Sequence, residues 1–415
     1  MANAYQSITS GLGIMRNFYQ GPIVDQFNED LAIWRGTEKG KYPWSGVQVQ
    51  RPLKVRRNPG VGATTDGGAL PSIGRQTTLQ ATIAAKYNYL RFGITGPMIS
   101  ASKSNVGSFV RSASFELEEG YNDLKSDCNR QMSWDGTGDL ARMNTAAAAS
   151  SSIVIKGRED TEPALKFLDI GSVFDIYTSA GVLVQAGITI TALTSGNASS
   201  STATVTVDQA VSASANDILV RQGSGVSNEI QGLLTQLDGG TTTVFGVDRS
   251  SYVQTQGNVV YVTSDGTSSG TALPLSLNYL QQAEDEAERR GGRMINAIYS
   301  DYASRRMYQK LLLADKRYVN TVQGDGGFAS KDKSYLEWNG KPWVADKDCP
   351  TRIFMLPDKY IERYVLEEMA FADDTGSMYI AAADNDQLEV RIRFFANLFN
   401  SKAAGAAVIQ SYVSP

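Results

Sequence analysis

Val47 to Phe92 reads VQVQRPLKVRRNPGVGATTDGGALPSIGRQTTLQATIAAKYNYLRF, two strand-like arms around a tip with too few apolar residues to build a core. The first arm alternates as Val47-Gln48-Val49-Gln50 and turns basic through Arg51, Lys54, Arg56 and Arg57; the second runs from Thr77 through Ile83, Tyr87, Tyr89 and Phe92. Between them, Asn58 to Gly74 holds Gly60, Gly62, Gly67, Gly68 and Gly74 with Pro59 and Pro71, residue types that favour turns and irregular backbone. Arms of about a dozen residues at roughly 3.4 Å each let the hairpin reach about 40 Å from its base. A lone two-stranded ribbon is marginal in water. The ribbon is therefore predicted to lie across another copy of the chain, which marks a subunit of something larger.

Composition bounds the rest. A chain of 415 residues with 42% hydrophobic and 20% charged residues is ordinary for a globular protein of two or three domains. No apolar run approaches the roughly 18 residues of a membrane span, and the first twenty residues lack the charged start and apolar stretch of a secretory signal, so folding in a cytoplasm is expected. Cys128 and Cys349, the two cysteines, read as reduced, buried thiols in that compartment. A net charge of −4 argues against a sequence-reading nucleic-acid binder. It suits a container around nucleic acid, because a strongly basic lining would grip the phosphates. The absence of histidine removes the usual general base near neutral pH and the commonest metal ligand. No phosphate-cradling loop, nucleophile elbow or zinc-spaced cysteine pair is present, and Gly60-Val61-Gly62-Ala63-Thr64-Thr65 lacks the third glycine of a dinucleotide motif. The sequence thus predicts neither an enzyme nor a cofactor site.

Around the hairpin, residues 1–40 form an arm with apolar anchors Ile14, Phe18, Ile23, Phe27, Leu31 and Trp34, facing a neighbour or their own domain. From Lys103 to Trp134, Val106, Val110, Ala113, Leu117, Tyr121, Leu124, Cys128 and Met132 mark one stripe of a long helix. Ser102 or Ser104 caps its start and Asp135-Gly136-Thr137-Gly138 stops it. Short β-rich runs follow at Ile153–Ile155, Val173–Tyr177, Val182–Val184, Ile188–Ile190, Thr204–Val207 and Ile218–Val220, a spacing that predicts a small inserted barrel or sandwich. Helix then alternates with strand: a helix from Leu275 to Arg290, a strand from Met294 to Tyr299, a helix from Asp301 to Leu313, a strand from Arg352 to Leu356, and a helix from Pro357 to Phe371. Such alternation predicts an α/β layer. A hairpin with arms Met378–Ala383 and Leu388–Leu398 turns at Asp384-Asn385-Asp386, and Ala406–Tyr412 is a last strand.

This order resembles the major capsid protein of tailed bacteriophages, the Hong Kong 97-type fold. The local stretches that carry the likeness are Gly225-Val226-Ser227-Asn228-Glu229-Ile230-Gln231-Gly232-Leu233 leading to Val244-Phe245-Gly246-Val247-Asp248-Arg249, the helix-Gly-Gly-strand at Ala283 to Ser300, and Leu388-Glu389-Val390-Arg391-Ile392-Arg393-Phe394. The resemblance implies an α+β fold divided into an N-terminal arm (1–40), an extended loop (41–97) and a peripheral domain with the spine helix (98–150). An inserted β-barrel-like domain (151–226), an axial α/β domain (227–372), a peripheral hairpin (373–400) and a final axial strand (401–415) complete it. It implies pentamers and hexamers in an icosahedral head shell around double-stranded DNA, contacted non-specifically. The virion would assemble in the host cytoplasm with a portal protein, decoration proteins as further partners, and no membrane. Because about forty residues precede the loop, a separate scaffolding protein is expected.

The resemblance also places the peripheral hairpin tip near local threefold axes, so that Asp384, Asn385 and Asp386 meet cationic partners from other copies, with Arg51, Lys54, Arg56 and Arg57 the candidates. Such pairs contribute only about 0–1 kcal/mol each and are expected to set register. Some relatives join a loop lysine to a neighbour's asparagine; Lys54 and Asn385 have that chemistry, but no positioned glutamate accompanies them, so uncrosslinked chains are expected. An encapsulin-type compartment shares the implied fold. From other classes, a glycosidase using Glu116 and Asp123 would need them to converge across a cleft of about 5–9 Å, and a tail or fibre protein would lack the axial α/β domain.

Overall fold

The computed structural model of the chain describes residues 31–97, 106–159, 162–196, 199–237, 243–314, 336–372, 380–381 and 386–413. Most of the predicted arm, with Ile14, Phe18, Ile23 and Phe27, lies outside them, as do Asp384 and Asn385. Ile33 and Trp34 pack on their own chain: Ile33 is buried, and the Trp34 ring lies 5.3 Å from that of Phe394. Among the described residues no helix is long and apolar enough to cross a membrane.

The helix Val106–Ser133 has 28 residues, about 42 Å at 1.5 Å rise per residue. Leu124, Cys128 and Met132 repeat every fourth position and are buried, so one stripe of its C-terminal half faces the core. That stripe packs on Ile392, Phe394, Ala396 and Leu398 of the strand Gln387–Asn400. Gly136 and Gly138, at φ 78° and 84°, turn the chain away after the helix in a conformation that glycine adopts without strain. Gly232 crosses over the helix end so closely that a Cβ there would lie 2.2 Å from the carbonyl oxygen of Trp134 and 2.3 Å from that of Gln131.

Gln387–Asn400 organises a five-stranded sheet, pairing antiparallel with Lys86–Thr95 along one edge and with Ile361–Phe371 and Ile380–Ala381 along the other. Glu38–Lys39 adds to the far side of Ile361–Phe371. Two expectations change here. Pro357–Phe371 is not a helix: after a short 3-10 turn, Ile361–Phe371 is extended, because pairing on both of its edges satisfies the backbone and overrides a helix-like apolar spacing. The second hairpin arm is also not one strand. Thr77–Ala84 pairs with Gln48–Arg56, and after Ala85 the chain passes to the larger sheet as Lys86–Thr95.

The β-rich segment is a closed six-stranded barrel. Its strands are Ala141–Met143, Ala147–Lys156, Val173–Tyr177, Leu183–Ser195, Thr202–Ala213 and Ile218–Arg221, and Ile153, Ile155, Phe174, Ile188 and Val205 fill its core. The runs at 182–184 and 188–190 join into one strand through Gly187 at φ 69°. Because the barrel begins at Ala141, a boundary at 151 falls within the strand Ala147–Lys156. The α/β layer is a six-stranded sheet ordered Asn258–Tyr261, Ala407–Gln410, Ile353–Leu356, Ala297–Ser300, Lys341–Ala345, Leu336–Trp338. Helices Leu277–Gly291 and Tyr302–Ala314 accompany it. The carboxylate of Asp301 accepts the amides of Ala303 and Ser304 at 3.1 Å each, capping the second helix. Ile361–Phe371 belongs to the other sheet, so this layer ends before it and not at 372.

Candidate assembly interface

The basic contact candidates, Arg51, Lys54, Arg56 and Arg57, sit on a hairpin whose two ends differ. At its root, Val49, Ala81 and Ile83 are buried against Val244, Phe245, Val247, Tyr364 and Phe399, so the ribbon has more support at its base than its sequence implies. The amide of Thr82 donates to the Phe245 carbonyl at 2.9 Å and the Trp44 indole donates to the Val365 carbonyl at 2.8 Å. Paired strands of nine and eight residues span about 30 Å at roughly 3.4 Å per residue, shorter than the reach read from sequence. Beyond Arg56 the tip, residues 57–76, forms no strand, and Val61, Leu70 and Ile73 are 86%, 83% and 104% exposed. The tip thus holds three large apolar side chains in solvent on one projection.

The basic residues divide between these two ends. The Arg51 guanidinium lies 3.5 Å from the Glu362 carboxylate and 3.9 Å from the centre of the Tyr42 ring, with its side chain 13% exposed. Glu362 also accepts the Tyr364 hydroxyl; burial first, and then that carboxylate, push the Tyr364 phenol above its ordinary range. Arg51 therefore clamps the hairpin root within its own chain. Lys54, Arg56 and Arg57 are exposed, as a contact to another chain requires. Asp386 is exposed at the start of Gln387–Asn400, its carbonyl accepting the Gly96 amide at 2.9 Å. Among the described residues, no ion pair brings Asp386 to any of the four basic residues within one chain. Sequence reading missed Glu362 and Tyr42; a helix assigned over 357–371 hid the alternation that brings Glu362 and Tyr364 together.

A second polar cluster, also missed, joins the modules where the long helix ends. Asn129 donates to both carboxylate oxygens of Asp346 at 3.1 Å and to Asp348 at 2.8 Å, and Asp346 also accepts the Ile33 amide at 3.1 Å. Burial and the neighbouring charge of Asp346 push the Asp348 carboxyl up to about 6. Arg130 is buried and bonds Asp127 at 3.0 Å and Glu229, while Arg221 of the barrel reaches Asp127 at 2.9 Å. Burial alone would raise the Asp127 carboxyl, but Arg130 and Arg221 outweigh it and hold it well below the usual range. Lys166 of the barrel donates to Glu162 and to the Cys349 carbonyl, both at 2.9 Å. Burial raises the thiols of Cys128 and Cys349, which are free and inaccessible. These contacts lock the helix, barrel and α/β layer together, while Oε2 of Glu229 is buried without a hydrogen-bond partner. Among the described residues no cluster of acidic, cysteine or histidine side chains could hold a metal, and Glu116 lies where side chains are not described.

No protein-family model matches the sequence, and no curated protein matches it either. Solved structures do match in fold. A subunit of the cyanophage A-1(L) capsid superposes at TM-score 0.58 and 13% identity, covering 98% of this chain and 99% of that one. The capsid of a native GTA particle does so at TM-score 0.52 and 8% identity, with coverage of 98% and 99%. A holo-SrpI encapsulin complex from Synechococcus elongatus PCC 7942 matches at TM-score 0.46 and 9% identity, with coverage of 99% and 96%. The chain thus has the mixed α+β fold of phage capsid subunits over nearly its whole length.

Proposed function

We propose that this chain is the shell subunit of a tailed-phage head, with the Hong Kong 97-type arrangement of arm, extended loop, spine helix, axial domain and inserted barrel. It assembles as pentamers and hexamers around double-stranded DNA. The observation that carries this reading is the hairpin: its root is clamped, while Val61, Leu70 and Ile73 at its tip are left in water. Burying three such side chains against a neighbour is worth about 1.5–3 kcal/mol each, repeated at every subunit contact. The exposed Lys54, Arg56 and Arg57 lie on the same projection and fix its register against acidic groups of another copy, Asp386 among them. Scaffolding, portal and decoration proteins are the partners that such a shell uses.

Negative-stain microscopy of the expressed chain, alone and with its neighbouring genes, tests the reading. Closed particles are expected, and Arg56→Glu with Arg57→Glu should give aberrant particles or none. A folded, monodisperse monomer under all these conditions, or particles filled with protein cargo in place of nucleic acid, would overturn it.

A further inference from the structure

The short helix Ala32–Gly36 is held on the core through two backbone amides. The Ile33 amide donates to a carboxylate oxygen of Asp346 at 3.1 Å, and the Trp34 amide donates to the side-chain oxygen of Asn129 at 2.9 Å. The Arg363 guanidinium lies 4.0 Å from the centre of the Trp34 ring and adds a contact to the same segment. Both amides therefore depend on one polar pair: Asn129 of the long helix, and Asp346 of the turn that follows Lys341–Ala345.

That pair has a third member. The Asn129 side-chain nitrogen lies 3.1 Å from each oxygen of Asp346 and 2.8 Å from one oxygen of Asp348. It carries two hydrogens, for which three carboxylate oxygens compete. Asn129, Asp346 and Asp348 are 0%, 1% and 6% exposed, which leaves little room for water to make up the difference. The Asp348 backbone is fixed in place, since its carbonyl accepts the Ser133 hydroxyl at 3.1 Å and the Trp134 indole at 2.8 Å. Two carboxylates in one such site resist ionising together, and one of them keeps its proton above the ordinary range. Here it is Asp348, which burial and the Asp346 charge push up to about 6. The remaining charged groups around it do not cancel this. Lys347 on its own turn and Lys166 from the barrel both favour the ionised form, but Lys347 bonds Ser126 at 2.8 Å and Lys166 bonds Glu162 at 2.9 Å. Burial, with Asp346 and Asp301 nearby, raises the Cys349 thiol, which adds no charge.

We propose that Asn129, Asp346 and Asp348 form a proton switch that sets how firmly Ala32–Gly36 is held on the core. With one proton on the carboxyl pair, a single negative charge faces the Asn129 amide and the anchor is closed. Loss of that proton to solvent sets two negative charges against the same amide group. Asn129 is then drawn from Asp346 toward Asp348, and its oxygen turns away from the Trp34 amide, so both anchoring amides loosen together. The folded value lies above the ordinary 3.8, so this contribution to closure is full below pH 3.8 and is lost as pH rises through 6. The switch acts within one chain and holds whether or not the chain assembles.

The test is hydrogen exchange on the full chain between pH 5 and pH 8, read by mass spectrometry in peptides covering residues 31–36. Rates are divided by the intrinsic amide rate at each pH, which leaves the opening constant of the anchor. With a proton held at about 6 in the closed state and 3.8 in the open one, that constant should rise about tenfold from pH 5 to pH 8 and level off above pH 6. Amides of the barrel core at 153–155 should show no such rise. Asp348→Asn keeps an oxygen beside Asn129 and removes the titration, so its anchor should stay as closed at pH 8 as at pH 5. A flat profile in the parent chain, a rise that begins only above pH 7, or a rise that persists in Asp348→Asn would each overturn the proposal. So would an Asp348→Asn anchor that stands open at every pH, which would make the residue a structural support and no switch. The parent profile needs no substitution, and it decides the matter even if the variant fails to fold.

Discussion

Asp348 carries a proton more readily than an exposed aspartate does, because burial and the Asp346 charge both oppose its ionised form. Its folded value of about 6 exceeds the ordinary 3.8, so this group's contribution to stability is fully present below pH 3.8 and is lost as pH rises through 6. Two pH units at about 1.4 kcal/mol each amount to roughly 3 kcal/mol. Asp348→Asn keeps an oxygen for Asn129 and removes the charge. In urea titrations it should match the parent chain near pH 4 and be more stable by about 3 kcal/mol at pH 8. At Gly232 the limit is steric and independent of pH. A Cβ there meets backbone carbonyls of the long helix at 2.2 to 2.5 Å, which no rotamer change relieves, so Gly232→Ala should cost on the order of 3 kcal/mol in the same titrations.

Between residue and molecule, the hairpin root and the central sheet decide how the elements meet. Arg51→Met loses the Glu362 pair and the contact with Tyr42, and is expected to cost about 1–2 kcal/mol, whereas Arg56→Met, in solvent, should stay within about 0.5 kcal/mol. Hydrogen exchange at the amides of 49–51 should quicken in the first variant only. Elements with a strong internal period were legible in the sequence: the four-residue stripe Leu124, Cys128, Met132, and the short apolar runs that became barrel strands. Ile361–Phe371 was not, since what makes it a strand is pairing with Glu38–Lys39 and with Gln387–Asn400, partners chosen by tertiary structure. The same holds for the contact residues. Four basic side chains look equivalent along one arm, and Glu362, a partner 311 positions away, together with the Tyr42 ring separates Arg51 from the other three.

For the whole molecule, buried pairs such as Arg130 with Glu229, and the Lys166 bond to the Cys349 carbonyl, tie barrel, helix and α/β layer together, while the hairpin tip stands apart. Trypsin offers a readout of that contrast. Unassembled chain should be cut first in the exposed tip, at Arg57 and Arg75, and assembled particles should protect those sites. Chain that is clipped equally fast in both states would show that the tip stays uncovered. The passage of one backbone from Thr77–Ala84 through Ala85 into Lys86–Thr95 has a mechanical consequence. Tension drawn along that strand from a gripped tip loads the ladder between Lys86–Thr95 and Gln387–Asn400 in shear, with its rungs sharing the force together instead of parting one after another. A wall built this way would stretch as a mesh, each link anchored along an edge strand of its own subunit's sheet.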